Sequence, residues 1–299
     1  MSTSASSASR APSTTPRPSA SVMIINSRSE VLFVHRNPVA RSFGGVHVFP
    51  GGNFDKAQDA SLAVTAIRET FEEAGLLIAS GPTLSDDVLD AARDAIHAGK
   101  IPFQTFLSQH GLSADVDALL PFTQWITPTS SPRRFDTQFY VTFLADASST
   151  GFSSGAKEDR IPKPDGGQEV MAARFIHPDT VLAEFRERKI TLMPPQFYLV
   201  YTLASILRGG ADTATLRGRV EALARGAFGR MVINPRRLGP PDEQGRVVLT
   251  YEGDHTRGGP EGRLHRALVH MGKNGITSEI TLQRNFNIFT EVDTGSSKL

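Results

Sequence analysis

The sequence predicts an α/β protein in which a mixed β-sheet is layered between helices. Three observations carry this expectation. Short apolar runs recur along the first two thirds of the chain, helical segments fall between and after them, and the order strands, helix, strands, helix is that of an α/β/α sandwich. A second group of short strand-like runs near the end predicts a β-rich extension packed on that core.

The elements follow in order. Ser21–Asn26 and Glu30–Arg36 are apolar runs joined by a short polar turn and read as a hairpin. Val46–Phe49 is a third strand, entering a tight turn at Gly51-Gly52. A helix through residues 63–74 comes next, with Ala63, Ile67, Phe71 and Ala74 on one apolar side and its acidic side expected to face outward. Residues 80–120 then hold two helices, Ser85–Ala98 and Pro102–His110, which contain few large apolar residues and read as an insertion. The sheet resumes with Phe122–Thr127 and Thr137–Ala145, and continues after a polar loop at 146–168 with Glu169–Ile176. Pro178–Lys189 has a proline start, and Pro194–Arg208 is a strongly apolar helix. Val247–Tyr251, Arg266–His270 and Ile276–Leu282 are the strands of the extension.

Four segments result. Residues 1–19 are rich in Ser, Thr, Ala, Pro and Arg, contain no acid, and read as a disordered tail. Residues 20–208 form the main domain, 209–292 the extension, and 293–299 a flexible tail. With 299 residues, 39% of them hydrophobic, the chain suffices for one large domain or two modest ones. A net charge of +1 gives no global field toward nucleic acid, and no apolar run approaches the length of a membrane span. Cysteine is absent, which excludes a disulfide scaffold, a thiol nucleophile and a cysteine-held metal, and fits an intracellular protein.

The chemistry concentrates in Arg68-Glu69-Thr70-Phe71-Glu72-Glu73-Ala74-Gly75-Leu76. Glu69, Glu72 and Glu73 stand at i, i+3 and i+4, and so share one helix face. Three like charges together are unfavourable unless a cation neutralises them, and hard divalent ions favour carboxylate oxygens. Arg68 is placed to orient a neighbouring glutamate. Glycine turn, helix, acidic face and glycine stop resemble the Nudix box, the signature of hydrolases that cut nucleoside diphosphates linked to another group. The resemblance implies the Nudix-type sandwich, Mg²⁺ or Mn²⁺ as cofactor, and Glu69, Glu72, Glu73 and the Gly52 carbonyl as metal ligands. Arg68 would orient carboxylates, and either Glu69 or Glu169 would act as base. One departure stands out. The family's spacing is Gly, five residues, Glu, seven residues, Arg-Glu. Those places hold Phe54 and Ala60 here, so Gly52 lies two residues too far upstream. Asn53–Asp59 thus reads as an insertion-bearing loop in which Asp55 or Asp59 replaces the missing glutamate.

The preceding segment narrows the resemblance. Leu32, Arg36, Arg41, Gly45 and Phe49-Pro50-Gly51-Gly52 fall in register with the pattern of Nudix coenzyme A diphosphatases, while Phe33, Val34 and Asn37 depart from it. Trp125–Pro128 and Arg133–Tyr140 are similar to a run in the peroxisomal branch of that group. The resemblance makes Arg36, Arg41, Gly45, Phe49, Gly51, Arg134 and Asp136 substrate-binding residues, with an arginine partner as the alternative role of Asp136. It implies hydrolysis of coenzyme A or acyl-coenzyme A to 3′-phosphoadenosine 5′-monophosphate and (acyl-)4′-phosphopantetheine. A general dinucleotide diphosphatase acting on ADP-ribose or NADH, and a non-catalytic nucleotide-binding module, are the alternatives. His35 and His47 read as structural. Ser297-Lys298-Leu299 is the tripeptide read by the peroxisomal import receptor, which predicts that receptor as partner and the peroxisomal matrix as location.

Overall fold

Alternation along the first two strands divides the core into two halves. In a computed structural model, which describes residues 15–40, 43–144, 163, 165, 169–208, 212–272 and 275–291, the hairpin is formed by β1 (Arg17–Ile25) and β2 (Val31–Arg36). Met23, Ile25, Val31 and Phe33 enter one hydrophobic cluster, while Ala20, Val22, Ile24, Leu32 and Val34 enter another. A strand presents successive side chains to opposite faces, so both faces of this sheet are covered. The expectations for Arg41, for most of the 146–168 loop and for Ser297-Lys298-Leu299 lie outside the described residues.

Strands β3 (His47–Val48) and β4 (Gly51–Asn53) lead into helix α1 (Leu62–Ala74). The glycine turn is therefore itself a short strand, paired antiparallel to β1 with Gly52 opposite Ala20. The Ser61 side chain accepts the Val64 N–H at the start of α1, and Gly75 ends it in the left-handed region with φ of 71°. The inserted segment comprises β5 (Ala79–Ser80), α2 (Asp86–His97), α3 (Phe103–Gln109) and β6 (Ser113–Ala114). Its large apolar residues are few, but Leu89, Ile96, Phe103, Phe106 and Leu107 are all buried. Phe106 stacks on Phe71 of α1 with ring centroids 5.6 Å apart, so the insertion closes the outer side of that helix.

Strands β7 (Leu120–Ile126), β8 (Phe135–Phe143) and β9 (Val170–Ile176) complete the first part of the sheet, and α4 (Pro178–Arg186) and α5 (Pro194–Leu207) cover its other face. Helix α6 (Thr213–Arg225), capped by Asp212, was not anticipated. Beyond it lie β10 (Val232–Ile233), β11 (Arg236–Arg237), β12 (Val247–Thr250), β13 (His265–Met271) and β14 (Thr277–Arg284). The main sheet runs β10-β7-β8-β1-β2-β3, with β4 on β1 and β9 on β2, and β1 pairs parallel to β8 from Arg17↔Phe135 to Ile25↔Phe143. β11–β14 form a separate antiparallel sheet. Two expected boundaries shift accordingly. β1 begins at Arg17, inside the expected tail, and β10 joins the main sheet from beyond residue 208.

The second sheet meets the main core through aromatic rings. Tyr251 lies edge-on to Trp125 and Tyr198 at centroid distances of 5.3 and 5.7 Å. His265, fully buried, places Nε2 2.9 Å from the Tyr198 hydroxyl and Nδ1 2.6 Å from the Glu252 carbonyl. Burial pushes its imidazole down to about 4. The unfolded chain therefore takes up the proton first as pH falls, and the stability due to neutral His265 is full above about 6.5 and is lost as pH falls toward about 4. A shift of that size corresponds to a loss of order 3 kcal/mol over the window. Urea unfolding at a series of pH values is expected to show this slope in the wild type and a shallower one in His265→Gln; equal slopes would exclude His265 as the titrating group.

Candidate active site

Arg68 organises the carboxylates of α1. Its Nε and Nη2 donate to the two oxygens of Asp59 at 2.8 and 2.9 Å. Its Nη1 reaches Glu72 Oε1 at 2.9 Å and Glu69 Oε1 at 3.0 Å, and Nη2 also donates to the Asn53 carbonyl at 3.3 Å. Burial alone would push this guanidinium down, but Asp59, Glu69 and Glu72 hold it well above its ordinary value. Asp59 is itself buried and accepts further hydrogen bonds from Thr65 Oγ1 and the Asp55 N–H, both at 2.9 Å. Asp55 instead accepts from Ala57 N–H and Gln58 Nε2 within its own turn. Of the two aspartates weighed for the missing glutamate, Asp59 is the one on Arg68.

The acidic face does not point outward as expected. Strand β4 lies against it. A Cβ on Gly52 would fall 2.4 Å from Glu69 Cδ, so any larger residue there would have to move the Glu69 carboxylate off its place on Arg68. Gly51 is more tightly constrained, since its Cβ would lie 2.3 Å from the Ala20 carbonyl oxygen of the neighbouring strand, and its N–H donates to Glu73 Oε2 at 3.0 Å. The other Glu73 oxygen accepts from Arg36 Nη1 at 3.0 Å, and Arg36 Nη2 reaches Glu169 at 3.3 Å. Arg36 is therefore committed to two carboxylates. Glu169, at the head of β9, has a half-exposed side chain at the mouth of the cluster.

Burial pushes both Glu69 and Glu73 upward; Arg68 opposes this at Glu69 and Arg36 at Glu73. Among the described residues no three carboxylate, histidine or cysteine side chains converge as a closed ligand cage, because Glu72 is drawn to Arg68 and Glu73 to Arg36. The donors nevertheless fit a hard divalent ion. The carboxylate oxygens are crowded together, and at Glu69 and Glu73 burial disfavours a charge that a cation would stabilise.

Other expected residues are placed differently. Phe49 is in the core, 4.9 Å from the Phe33 ring and 6.3 Å from the Phe139 ring, rather than on a binding surface. Gly45, with φ of 76°, closes the turn by donating to the Arg36 carbonyl. Arg134 is buried and donates from Nε to the Thr127 carbonyl, bracing the β7–β8 connection. Asp136 accepts from Gln124 Nε2 at 2.6 Å, so its partner is an amide rather than an arginine. His35 and His47 stack at 4.3 Å, and burial pushes His47 down to about 4, in keeping with a structural pair. Sequence reasoning missed Arg93, whose Nε donates to the Glu72 carbonyl at 2.8 Å. Its only signal is a basic residue on an inserted helix.

Comparison with known proteins adds to this geometry. A family model described as NUDT19 Nudix domain matches residues 57–203, and one described as NUDIX domain matches residues 15–97. The acyl-coenzyme A diphosphatase NUDT19 of Gallus gallus is 30% identical over 47% of this chain and 39% of its own length. Its Homo sapiens counterpart is 29% identical over 50% and 40%, and putative nudix hydrolase 7 of Caenorhabditis elegans 27% identical over 62% and 59%. The chain thus spans less than two thirds of the length of these relatives. A crystal structure of a NUDIX hydrolase from Alicyclobacillus acidocaldarius, 24% identical, covers 63% of this chain and 90% of its own, with a TM-score of 0.48. Both family models are Nudix models, together they run from residue 15 to residue 203, and both contain the Arg68-centred helix, so this part of the chain is a Nudix domain.

Proposed function

We propose that this chain is a Mg²⁺- or Mn²⁺-dependent diphosphatase acting on coenzyme A or acyl-coenzyme A. The observation that carries the reading is the match of residues 57–203 to the NUDT19 Nudix domain, supported by relatives named acyl-coenzyme A diphosphatase. The pairing of Asp59 with Arg68 also supports a catalytic reading over a non-catalytic module, because the loop with the altered spacing still supplies an acid to the helix.

In the reaction, a water oxygen bonds to one phosphorus and the bridging P–O bond breaks, leaving two phosphate monoesters. Glu69, Glu72, Glu73 and the Gly52 carbonyl would hold the metal, which when bound neutralises diphosphate charge and acidifies water. Arg68 keeps Glu69 and Glu72 on one side of the helix by donating to both from a single nitrogen. Arg36 restrains Glu73 and Glu169, and its guanidinium is a suitable fork for a phosphate that displaces either carboxylate. Glu169 is the half-exposed carboxylate of the cluster and therefore best placed to pass a proton to bulk solvent; Glu69 is the rival base.

The deciding assay offers purified protein coenzyme A, an acyl-coenzyme A, ADP-ribose and NADH in competition, with Mg²⁺ or Mn²⁺, and identifies products by mass spectrometry. Release of 3′-phosphoadenosine 5′-monophosphate with (acyl-)4′-phosphopantetheine is expected; AMP as the main product would move the activity to dinucleotides, and no turnover would leave a binding module.

Three substitutions extend the test. Glu72→Gln keeps shape but removes charge, and is expected to lower kcat by about 10²-fold or more with the fold retained by circular dichroism. Gly52→Ala drives a methyl group into Glu69 and is expected to reduce turnover comparably; wild-type kcat in that variant would show that the close approach has no catalytic role. Asp59→Ala leaves Arg68 buried without its main partner, and denaturant unfolding should show a loss of about 3–5 kcal/mol.

A further inference from the structure

The inserted helix α2 meets the carbonyl end of α1. A helix ends with four carbonyls that lack an intrahelical donor, here those of Phe71, Glu72, Glu73 and Ala74. Gly75 N–H takes the Phe71 oxygen at 3.0 Å, and Lys163 N–H takes that of Ala74 at 3.2 Å. The Glu72 oxygen is met by a side chain, Arg93 Nε of α2, at 2.8 Å. Arg93 is only 6% exposed. One turn farther along α2, His97 Nδ1 lies 4.0 Å from Glu72 Oε2, an electrostatic approach rather than a hydrogen bond. A single residue is thus held at its main chain and approached at its carboxylate by two side chains of the same inserted helix.

Docking α2 against α1 does not by itself call for this arrangement. Leu89 and Ile96 already bury the apolar side of α2, and a desolvated guanidinium is an expensive way to meet a carbonyl that a backbone N–H or water satisfies elsewhere. The arrangement instead fixes the turn that carries Glu72 and Glu73. It also places a cation at the negative end of the α1 dipole, beside the carboxylate cluster.

We propose that Arg93 is a positioning residue for the metal-binding carboxylates, acting through the Glu72 main chain, with His97 in a supporting place. The inference rests on the reading of Glu69, Glu72 and Glu73 as metal ligands. It makes the insertion part of the catalytic apparatus, although Arg93 itself touches neither metal nor substrate.

The test is Mn²⁺ titration of the full chain, followed by electron paramagnetic resonance of the free ion, for wild type, Arg93→Met, Arg93→Lys and Leu89→Ala. Arg93→Met is expected to weaken Mn²⁺ binding about tenfold or more, the usual scale for removing an outer partner of a ligand. Arg93→Lys, which can still donate to a carbonyl, should recover part of that loss. Leu89→Ala cuts a buried contact of the same helix without touching Glu72; it should lower Tm while leaving Mn²⁺ affinity unchanged. Equal affinity in wild type and Arg93→Met overturns the proposal, and so does an equal loss in Leu89→Ala, which would reduce Arg93 to a docking contact. A wild type that binds no Mn²⁺ sinks the metal reading and this inference with it, whereas normal wild-type binding with unaltered variants sinks this inference alone.

Discussion

The buried pair between Arg68 and Asp59 is the constraint on which the site depends. A guanidinium out of water is costly unless every donor is met, and breaking such a pair leaves an uncompensated charge. Here Asp59 takes two donors in a fork, Glu69 and Glu72 share a third nitrogen, and the Asn53 carbonyl completes the set. Asp59 comes from the loop and Arg68 from the helix, so the contact fixes how the loop lies on α1. With the loop fixed, β4 is held against the acidic face. The close approach of Gly52 to Glu69 and the Gly51 N–H bond to Glu73 then follow.

Charge balance explains the remaining geometry. The face gathers Glu69, Glu72, Glu73 and nearby Glu169, with Arg68 and Arg36 as their neutralising partners. Arg36 is on the same face of β2 as Leu32 and Val34, which pack toward α1, and this parity delivers it to Glu73. An arginine that falls in register with a phosphate-binding pattern is here a counter-ion of carboxylates. The two roles are chemically compatible, because the planar fork that grips a carboxylate also grips a phosphate.

Much of this was legible in the sequence, and the failures have physical causes. The hairpin, α1 with its glycine stop, α4, α5 and the three longer strands of the second sheet were visible, because periodicity and helix signals are local. The direction of the acidic face was misread. A charged helix face normally seeks water, and nothing local says that β4 and Arg36 cover it. Phe49 looked like a binding residue because it falls within a motif, yet its neighbours Phe33 and Phe139 make it core. Asp59 could not be told from Asp55, since both are acids in one loop and only the fold brings one of them to Arg68. Helix α6 was hidden by Gly218 in its middle, although Asp212 caps it as expected of a helix start.

The two cores also divide labour. The cluster containing Phe71, Ile67 and the inserted Phe103, Phe106 and Leu107 supports the carboxylate helix. The other cluster runs from Phe33 and Phe139 through α5 to Tyr251, Val269 and Ile280 of the second sheet. That second sheet cannot be an ornament on a finished domain. Without Tyr251 and His265, the rings of Trp125 and Tyr198 would each lose an edge-on partner, and the Tyr198 hydroxyl its contact with the His265 ring. Trp125 lies on β7, which pairs with β8, which pairs in turn with β1, the strand that holds Gly51 and Gly52 against α1. The extension therefore supports the site from the far side of the sheet, by completing the core on which those strands rest.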